Sequence, residues 1–332
     1  MKYKQQLHQG ILSQISNAIQ ERDNFLITTH INPDGDCITS VLSIAYILKV
    51  LGKQYKILMA DPIPEKFLFL SDVESILYIE EAELPFNPET AIVLDASNTE
   101  RFGKVRKHVE KCEMIINIDH HPSNSLFGKI NLVDPEESST VEIVYYLVKF
   151  MDLPVSEELA TLIYTGIMCD TGRFLFPNTT HRSMKICAEM IQCGASPEII
   201  GDHLYFQKSF ETMKALGEAL STLELHFNGK VACVELDCRC YEREHALDTE
   251  GFVDYLMMIN GTEVEFLMLR KEPNKIKVSL RSQKNVDVNK VASEFGGGGH
   301  ARAAGCTIEG TFAEAKSKLL NVIKQSLNGK AD

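Results

Sequence analysis

His30, Asp34 and Asp36 put three metal-type side chains within seven residues, in Thr29-His30-Ile31-Asn32-Pro33-Asp34-Gly35-Asp36-Cys37. An imidazole and two carboxylates this close could ligate a divalent cation. They could equally be local structure, since aspartates favour turns and helix N-caps and a histidine can pack beside them. An EF-hand calcium loop is excluded: Ile38 occupies an oxygen-ligand position and the loop glycine is missing. The same chemistry recurs at Asp95, in the run Asp119-His120-His121, and at Asp170.

The elements around these residues read as strand, turn and helix. Phe25 to Thr28 is a short apolar, β-branched run, a buried strand. Asn32-Pro33-Asp34-Gly35 forces a turn, and Cys37 to Leu51 reads as a buried helix stopped by Gly52. A second strand is expected over Tyr55–Ala60, a third over Ala91–Asp95 and a fourth over Met114–Asp119, the last two ending in aspartate. A helix over 6–21 precedes them; one capped by Ser138-Ser139-Thr140 and one capped by Ser156 follow, the latter running to Asp170. This alternation predicts an α/β fold with a Rossmann-like, mostly parallel sheet, which binds ligands at the carboxyl ends of its strands. Residues 1–190 form that domain and 191–227 a helical connector. Residues 228–332 form a smaller α+β domain with strands over Val231–Leu236, Glu263–Arg270 and Lys275–Arg281, and helices near 249–259 and 312–327.

At 332 residues, with 44% apolar and 24% charged residues, the chain suits two ordinary globular domains. Met1 to Gln6 leads into an amphipathic pattern, not a signal-peptide core, and no apolar run reaches membrane-spanning length. Nine scattered cysteines fit reduced thiols in the cytoplasm. A net charge of −12 argues against duplex DNA as a partner. A small anionic substrate stays open, because carboxylates gathered around cations make a locally positive site.

Taken in order, His30, Asp34 and Asp36, then Asp95, Asp119-His120-His121 and Asp170 resemble the four motifs of the DHH phosphoesterase superfamily, whose third motif is the Asp-His-His itself. Asp95-Ala96-Ser97 with Arg101 and Gly103 resembles the second motif, and Asp170-Thr171-Gly172 with Phe174 the fourth. Gly296 to Gly305 resembles the glycine-rich signature of the DHH-associated carboxyl-terminal domain. Thr39 departs from the pattern, standing where the family usually has glycine, and so bears on helix packing. The resemblance implies two divalent cations, which activate water and neutralise developing charge when about 3.5–4 Å apart. It assigns His30, Asp34 and Asp95 to one cation and Asp36, Asp95, His120 and Asp170 to the other, with Asp95 bridging. Ligands of this kind suit Mn²⁺, with Mg²⁺, Co²⁺ or Zn²⁺ as competitors. Asp119 is expected to orient a ligand, and His121 to point at the scissile phosphate.

In the second domain, Gly298 and Gly299 would let backbone amides approach a phosphate or sugar, with His300, Arg302 and Arg281 beside them. A flexible loop and a salt-bridged arginine are the plainer alternatives. Within the superfamily the chain is similar to the stand-alone oligoribonuclease and pAp phosphatase group, which implies short RNAs, dinucleotides and adenosine 3′,5′-bisphosphate (pAp) as substrates. A soluble linear or cyclic dinucleotide phosphodiesterase and an exopolyphosphatase are alternatives within the superfamily. A catalytically silent nucleotide-binding regulator is the alternative from another class. The sequence points to no membrane and leaves a homodimer open.

Overall fold

Six short strands lie side by side in the order β3-β2-β1-β4-β5-β6, every neighbouring pair parallel. They are β1 (Phe25–Thr28), β2 (Tyr55–Met59), β3 (Ile76–Tyr78), β4 (Thr90–Leu94), β5 (Met114–Asp119) and β6 (Ile130–Val133). The computed structural model describes residues 2–79, 87–238, 247–299 and 301–328. The order reverses between β1 and β4, where a doubly wound sheet opens a crevice at its carboxyl edge. Register places Ile27 beside Ile92 and Leu94 beside Ile118, so β1, β4 and β5 end together at that edge. β3 and β6 are only three and four residues long and partly exposed; β3 is apolar but too short to stand out in sequence, and Asn131 interrupts β6.

Around the sheet pack α1 (Lys2–Glu21), α2 (Gly35–Val50), the short α3 (Arg106–Val109), α4 (Thr140–Phe150), α5 (Glu157–Asp170), α6 (His181–Gln192) and α7 (Pro197–Gly201). α2 is apolar nearly all round because it is sandwiched between the sheet and α4 and α5. Asp34 caps it and Gly52, at φ +68°, ends it. Thr39 is fully buried, its hydroxyl bonded to the Gly35 carbonyl at 2.8 Å. On α5, a Cβ at Gly166 would lie 2.2 Å from the Thr39 hydroxyl and 2.6 Å from Val141 Cγ1, so the glycine makes room for side chains of both α2 and α4. This unit ends at Gln207, after a π-helical turn over Asp202–Phe206.

The second unit, Lys208–Asp332, opens with α8 (Phe210–Ser221). Its mixed sheet runs β11-β12-β10-β9-β8-β7. The strands are β7 (Glu224–His226), β8 (Val231–Asp237), β9 (Val264–Glu272), β10 (Lys275–Ser282), β11 (Gly298–Gly299) and β12 (Ala303–Glu309). Helices α9 (Val288–Ser293) and α10 (Phe312–Asn328) cover one face, which buries Val278, Leu280, Phe266 and Ile323. α8 and the segment over Phe252–Met258 cover the other, burying Val234, Leu267 and Leu256. Two sequence expectations change here. Residues 224–226, expected as helix, pair with β8 as an edge strand. The helix expected near 249–259 is a 3-10 segment, Phe252–Met258, launched by Gly251 at φ +82°. Among the described residues no helix is long and apolar enough to cross a membrane.

Candidate metal centre

The carboxyl edge at the β1/β4 switch point gathers every acidic and imidazole residue singled out in the first unit. His30 follows β1 and is almost fully buried. Its Nδ1 donates to the Ile31 carbonyl at 2.7 Å, since a carbonyl can only accept, and this turns Nε2 toward Asp95 Oδ2 (3.4 Å) and Asp34 Oδ2 (3.9 Å). Asp34 serves both readings of the sequence. Its Oδ1 accepts from the Cys37 amide at 3.1 Å as the cap of α2, while Oδ2 faces the histidine. Asp36 is also held at a helix end, but not its own: its oxygens accept from the Thr140 and Val141 amides of α4 at 2.7 and 3.0 Å.

Asp95 sits at the centre. It follows β4 with φ +55°, a left-handed conformation that aspartate tolerates better than most residues, and is 3% exposed. Its two oxygens face opposite ways: Oδ2 toward His30 and Oδ1 toward His120 Nε2 at 3.7 Å. Oδ1 also accepts from the Thr140 hydroxyl at 2.9 Å. His120 Nδ1 lies 3.4 Å from the Glu137 carbonyl, and Nε2 lies 3.6 Å from Asp170 Oδ2 and 3.9 Å from Asp36 Oδ2. Asp119 is fully buried; it accepts from the His120 and His121 amides and from Asn124, and takes His121 Nδ1 at 2.7 Å. That is an orienting arrangement, with the carboxylate turned to its own histidine loop.

Ligand-type atoms therefore converge in two neighbouring sets that share the Asp95 carboxylate: His30 with Asp34, and Asp36 with His120 and Asp170. The electrostatics fit a divalent cation. Burial, and then the charges of Asp95, Asp170 and Asp34, push Asp36 well above the carboxylate range. Asp170 rises to about 7 through burial and the Asp95 and Asp34 charges, against the pull of His120. Asp95 stays low: burial opposes its charge, and His30, His121 and His120 outweigh burial. Carboxylates crowded enough to hold protons, beside imidazoles with Nε2 turned inward, are a donor set that a dication would relieve. Cys37 is a donor the sequence reading passed over. Its Sγ lies within ligand spacing of His30 and Asp34, and only its place next to Asp36 could have flagged it. Thr140 and Asn178 were likewise not singled out as site residues, because their partners lie far away in sequence.

A separate group, Glu224, His226 and Cys233, also converges in the second unit. There Lys316, 2.9 Å from Glu224 and 2.5 Å from Glu235, already supplies the positive charge.

A relative from Thermus thermophilus, a bifunctional oligoribonuclease and PAP phosphatase NrnA, is 34% identical over 302 residues, spanning 91% of this chain and 89% of its own. The DHH family, N-terminal domain, matches residues 24–167 and the DHHA1 domain matches residues 228–329. The chain belongs to the DHH family. A Bacillus subtilis relative of the same description is 30% identical over 89% of this chain and 93% of its own. A solved structure, an exopolyphosphatase-related protein from Bacteroides fragilis, superposes with a TM-score of 0.88 at 26% identity, covering 97% of this chain and 96% of that one. As a DHH-family member the chain is a hydrolase of phosphoester bonds that depends on divalent metal.

In the DHHA1 unit, Arg281, Arg302, Gly298 and Gly299 come to one corner of the sheet; His300 lies outside the described residues. Arg281 pairs in register with Ala303, while Gly299 pairs with Ala304. Arg281 is salt-bridged as the plainer alternative has it, Nε to Asp254 at 2.8 Å, and Nη1 donates to the Leu280 carbonyl at 3.2 Å. Arg302 Nη1 lies 3.4 Å from the Ser282 hydroxyl. Packing explains part of the glycine run. A Cβ at Gly297 would meet the Gly305 carbonyl at 2.2 Å, and Gly299 has φ +147° with the Ala303 carbonyl 2.5 Å from a Cβ. Gly298 is different: a side chain there would meet nothing closer than Asn289 at 3.7 Å.

Proposed function

We propose that this chain hydrolyses short oligoribonucleotides and dinucleotides to mononucleotides and removes the 3′-phosphate of pAp, with two divalent cations, preferentially Mn²⁺. The observation that carries this reading is Asp95, one oxygen facing His30 and the other facing His120. His30, Asp34 and Asp95 would hold one cation, and Asp36, Asp95, His120 and Asp170 the other. Bound there, such cations lower the pKa of water and neutralise charge on the phosphate. His121 has spent Nδ1 on Asp119, so Nε2 is the nitrogen it can offer a phosphate oxygen. Burial works against its charge, but Asp119 and then Asp95 push its pKa up to about 9 in the metal-free chain. Asp119 thereby fixes both the tautomer and the angle of the ring.

The choice of substrate is supported by the two NrnA relatives, which bear the description of oligoribonuclease and PAP phosphatase along nearly their whole length. In the second unit, Arg281, Arg302 and the Gly298–Gly299 backbone are the groups we assign to the nucleotide and its phosphate. Gly298 supports this, since packing alone leaves its glycine unexplained. The described cysteines are free thiols, which supports a reducing compartment such as the cytoplasm.

The test is a single assay of the full chain with Mn²⁺ on pAp, pGpG, a longer RNA, a cyclic dinucleotide and polyphosphate. AMP with inorganic phosphate from pAp, and mononucleotides from pGpG, are the expected products. Absence of turnover on every substrate by folded, Mn²⁺-loaded protein would point to a silent nucleotide-binding regulator. Faster release from polyphosphate than from pAp would favour an exopolyphosphatase.

A further inference from the structure

Residues 137–141, the end of the loop after β6 and the first two residues of α4, bond Asp36, Asp95 and His120 directly and reach Asp170 through Asn178; of the ligands assigned to the first cation they bond the shared Asp95, through the oxygen that faces His120. The Glu137 carbonyl faces His120 Nδ1. The Thr140 amide and hydroxyl bond Asp36 and Asp95, and the Val141 amide bonds Asp36. Asn178 donates to the Ser138 carbonyl at 3.0 Å and to both the carbonyl and the side chain of Asp170. What fixes this segment is a buried acidic pair that the chemistry itself does not use.

Glu142, on the first turn of α4, is fully buried; its Oε2 accepts from the Ser138 hydroxyl at 2.5 Å and the Ser138 amide at 3.1 Å. Its Oε1 accepts from the Tyr146 hydroxyl, which also lies 3.4 Å from Glu137. Arg182 closes the group from α6, with Nε on Glu137 at 3.3 Å and Nη2 on the Glu136 carbonyl at 2.9 Å. A buried carboxylate is costly unless it is hydrogen-bonded, and Glu142 meets that cost through the Ser138 amide and hydroxyl and the Tyr146 hydroxyl, which ties the segment to it.

We propose that Glu142, with Tyr146 and Arg182 behind it, is a positioning residue that sets the geometry of the Asp36–Asp95–His120–Asp170 cation site and leaves the His30–Asp34 side alone. This rests on the two-cation reading given above. Residues that orient metal ligands typically contribute about 10–100-fold to metal affinity. Glu142 acts one bond further out, through Ser138, so replacing it by leucine should cost the second cation up to that much and the first one less. Glu142→Gln restores the second cation, because the amide oxygen still accepts from Ser138 and the amide NH₂ can donate to the Glu137 carboxylate.

The experiment is Mn²⁺ binding to the full chain by equilibrium dialysis, with electron paramagnetic resonance to read the spin coupling of an adjacent Mn²⁺ pair. Wild type is expected to bind two coupled ions. Glu142→Leu should bind one tightly, without the coupled signal, and Glu142→Gln should regain both. Arg182→Ala, on a partly exposed residue that folding tolerates better, should weaken the second ion in the same selective way. Equal loss of both ions in Glu142→Leu and Arg182→Ala, or no loss in either, overturns the proposal while leaving the two-cation reading standing. A wild-type protein that binds no coupled pair overturns that reading, and this proposal with it.

Discussion

Removing metal should make the stability of the DHH unit fall as pH rises, and Mn²⁺ should reverse that slope. Asp170 is held at about 7 instead of its ordinary 3.8. His121 is held at about 9 instead of 6.5. A group with a raised value keeps a proton in the folded chain that the unfolded chain has already released. Its stabilisation is complete below the unfolded value and is lost as pH climbs through the folded one. The Asp170 window runs from 3.8 to about 7 and the His121 window from 6.5 to about 9, so the two join. Across them these two groups together release close to one proton on unfolding, a slope of about 1.4 kcal/mol per pH unit. Asp36 and His30 are also raised and act in the same sense. Asp95 is lowered, so its contribution is lost only on acidification below the ordinary carboxylate range. From about pH 5 to about pH 8 the loss from Asp170 and His121 alone is on the order of 4 kcal/mol, or roughly 10 °C in Tm for a unit of this size, and Asp36 and His30 steepen it. A bound cation needs deprotonated ligands, so its stabilisation grows with pH. Scanning calorimetry in EDTA and in excess Mn²⁺ across that range measures both slopes. A Tm in EDTA that stays flat or rises with pH would refute the electrostatic account of the site.

Asp95→Asn should abolish turnover of pAp with the circular dichroism spectrum unchanged. Asparagine tolerates the left-handed backbone and still accepts from Thr140, but the two cations proposed above would lose their shared charge; activity near wild type would remove the bridging role. Arg281→Ala should raise KM far more on phosphorylated dinucleotides than on a small chromogenic phosphodiester, and equal losses on both would remove terminal-phosphate recognition by this residue. Gly166→Ala should destabilise by about 2 kcal/mol, an overpacking cost of up to about 3 offset by about 1 of helix propensity. Thr39→Gly in the same chain should recover part of that loss, because the Cβ at position 166 would lie 2.2 Å from the Thr39 hydroxyl; purely additive effects in denaturant melts would show that the two positions do not face each other.

Much of the DHH unit was legible because buried parallel strands are written as continuous apolar runs. β1, β4 and β5 stand out in that way, and each hands its chain directly to His30, Asp95 or Asp119. The caps Ser139 and Ser156 were legible for the same local reason, since a side-chain oxygen bonds an amide three residues on. The second unit was harder. β12, Ala303–Glu309, is hidden in small residues and glycine, and its identity as a strand comes from pairing with β10 and β11. The 3-10 segment over Phe252–Met258 carries apolar residues that a longer helix would also use, and only its packing on the sheet limits it.

By itself the sequence determined which residue types are present, their order, and the strand ends that carry them, because each of these depends on neighbours a few positions apart. The tertiary structure decided what those residues do to one another. Asp36 is fixed by amides 104 and 105 positions away, and Asp95 by a hydroxyl 45 positions away. No local pattern encodes such contacts, since they exist only once α4 is packed against α2 and the sheet. The same packing lets Asp34 cap a helix with one oxygen and face His30 with the other, so the question the sequence posed between cap and ligand has both answers at once.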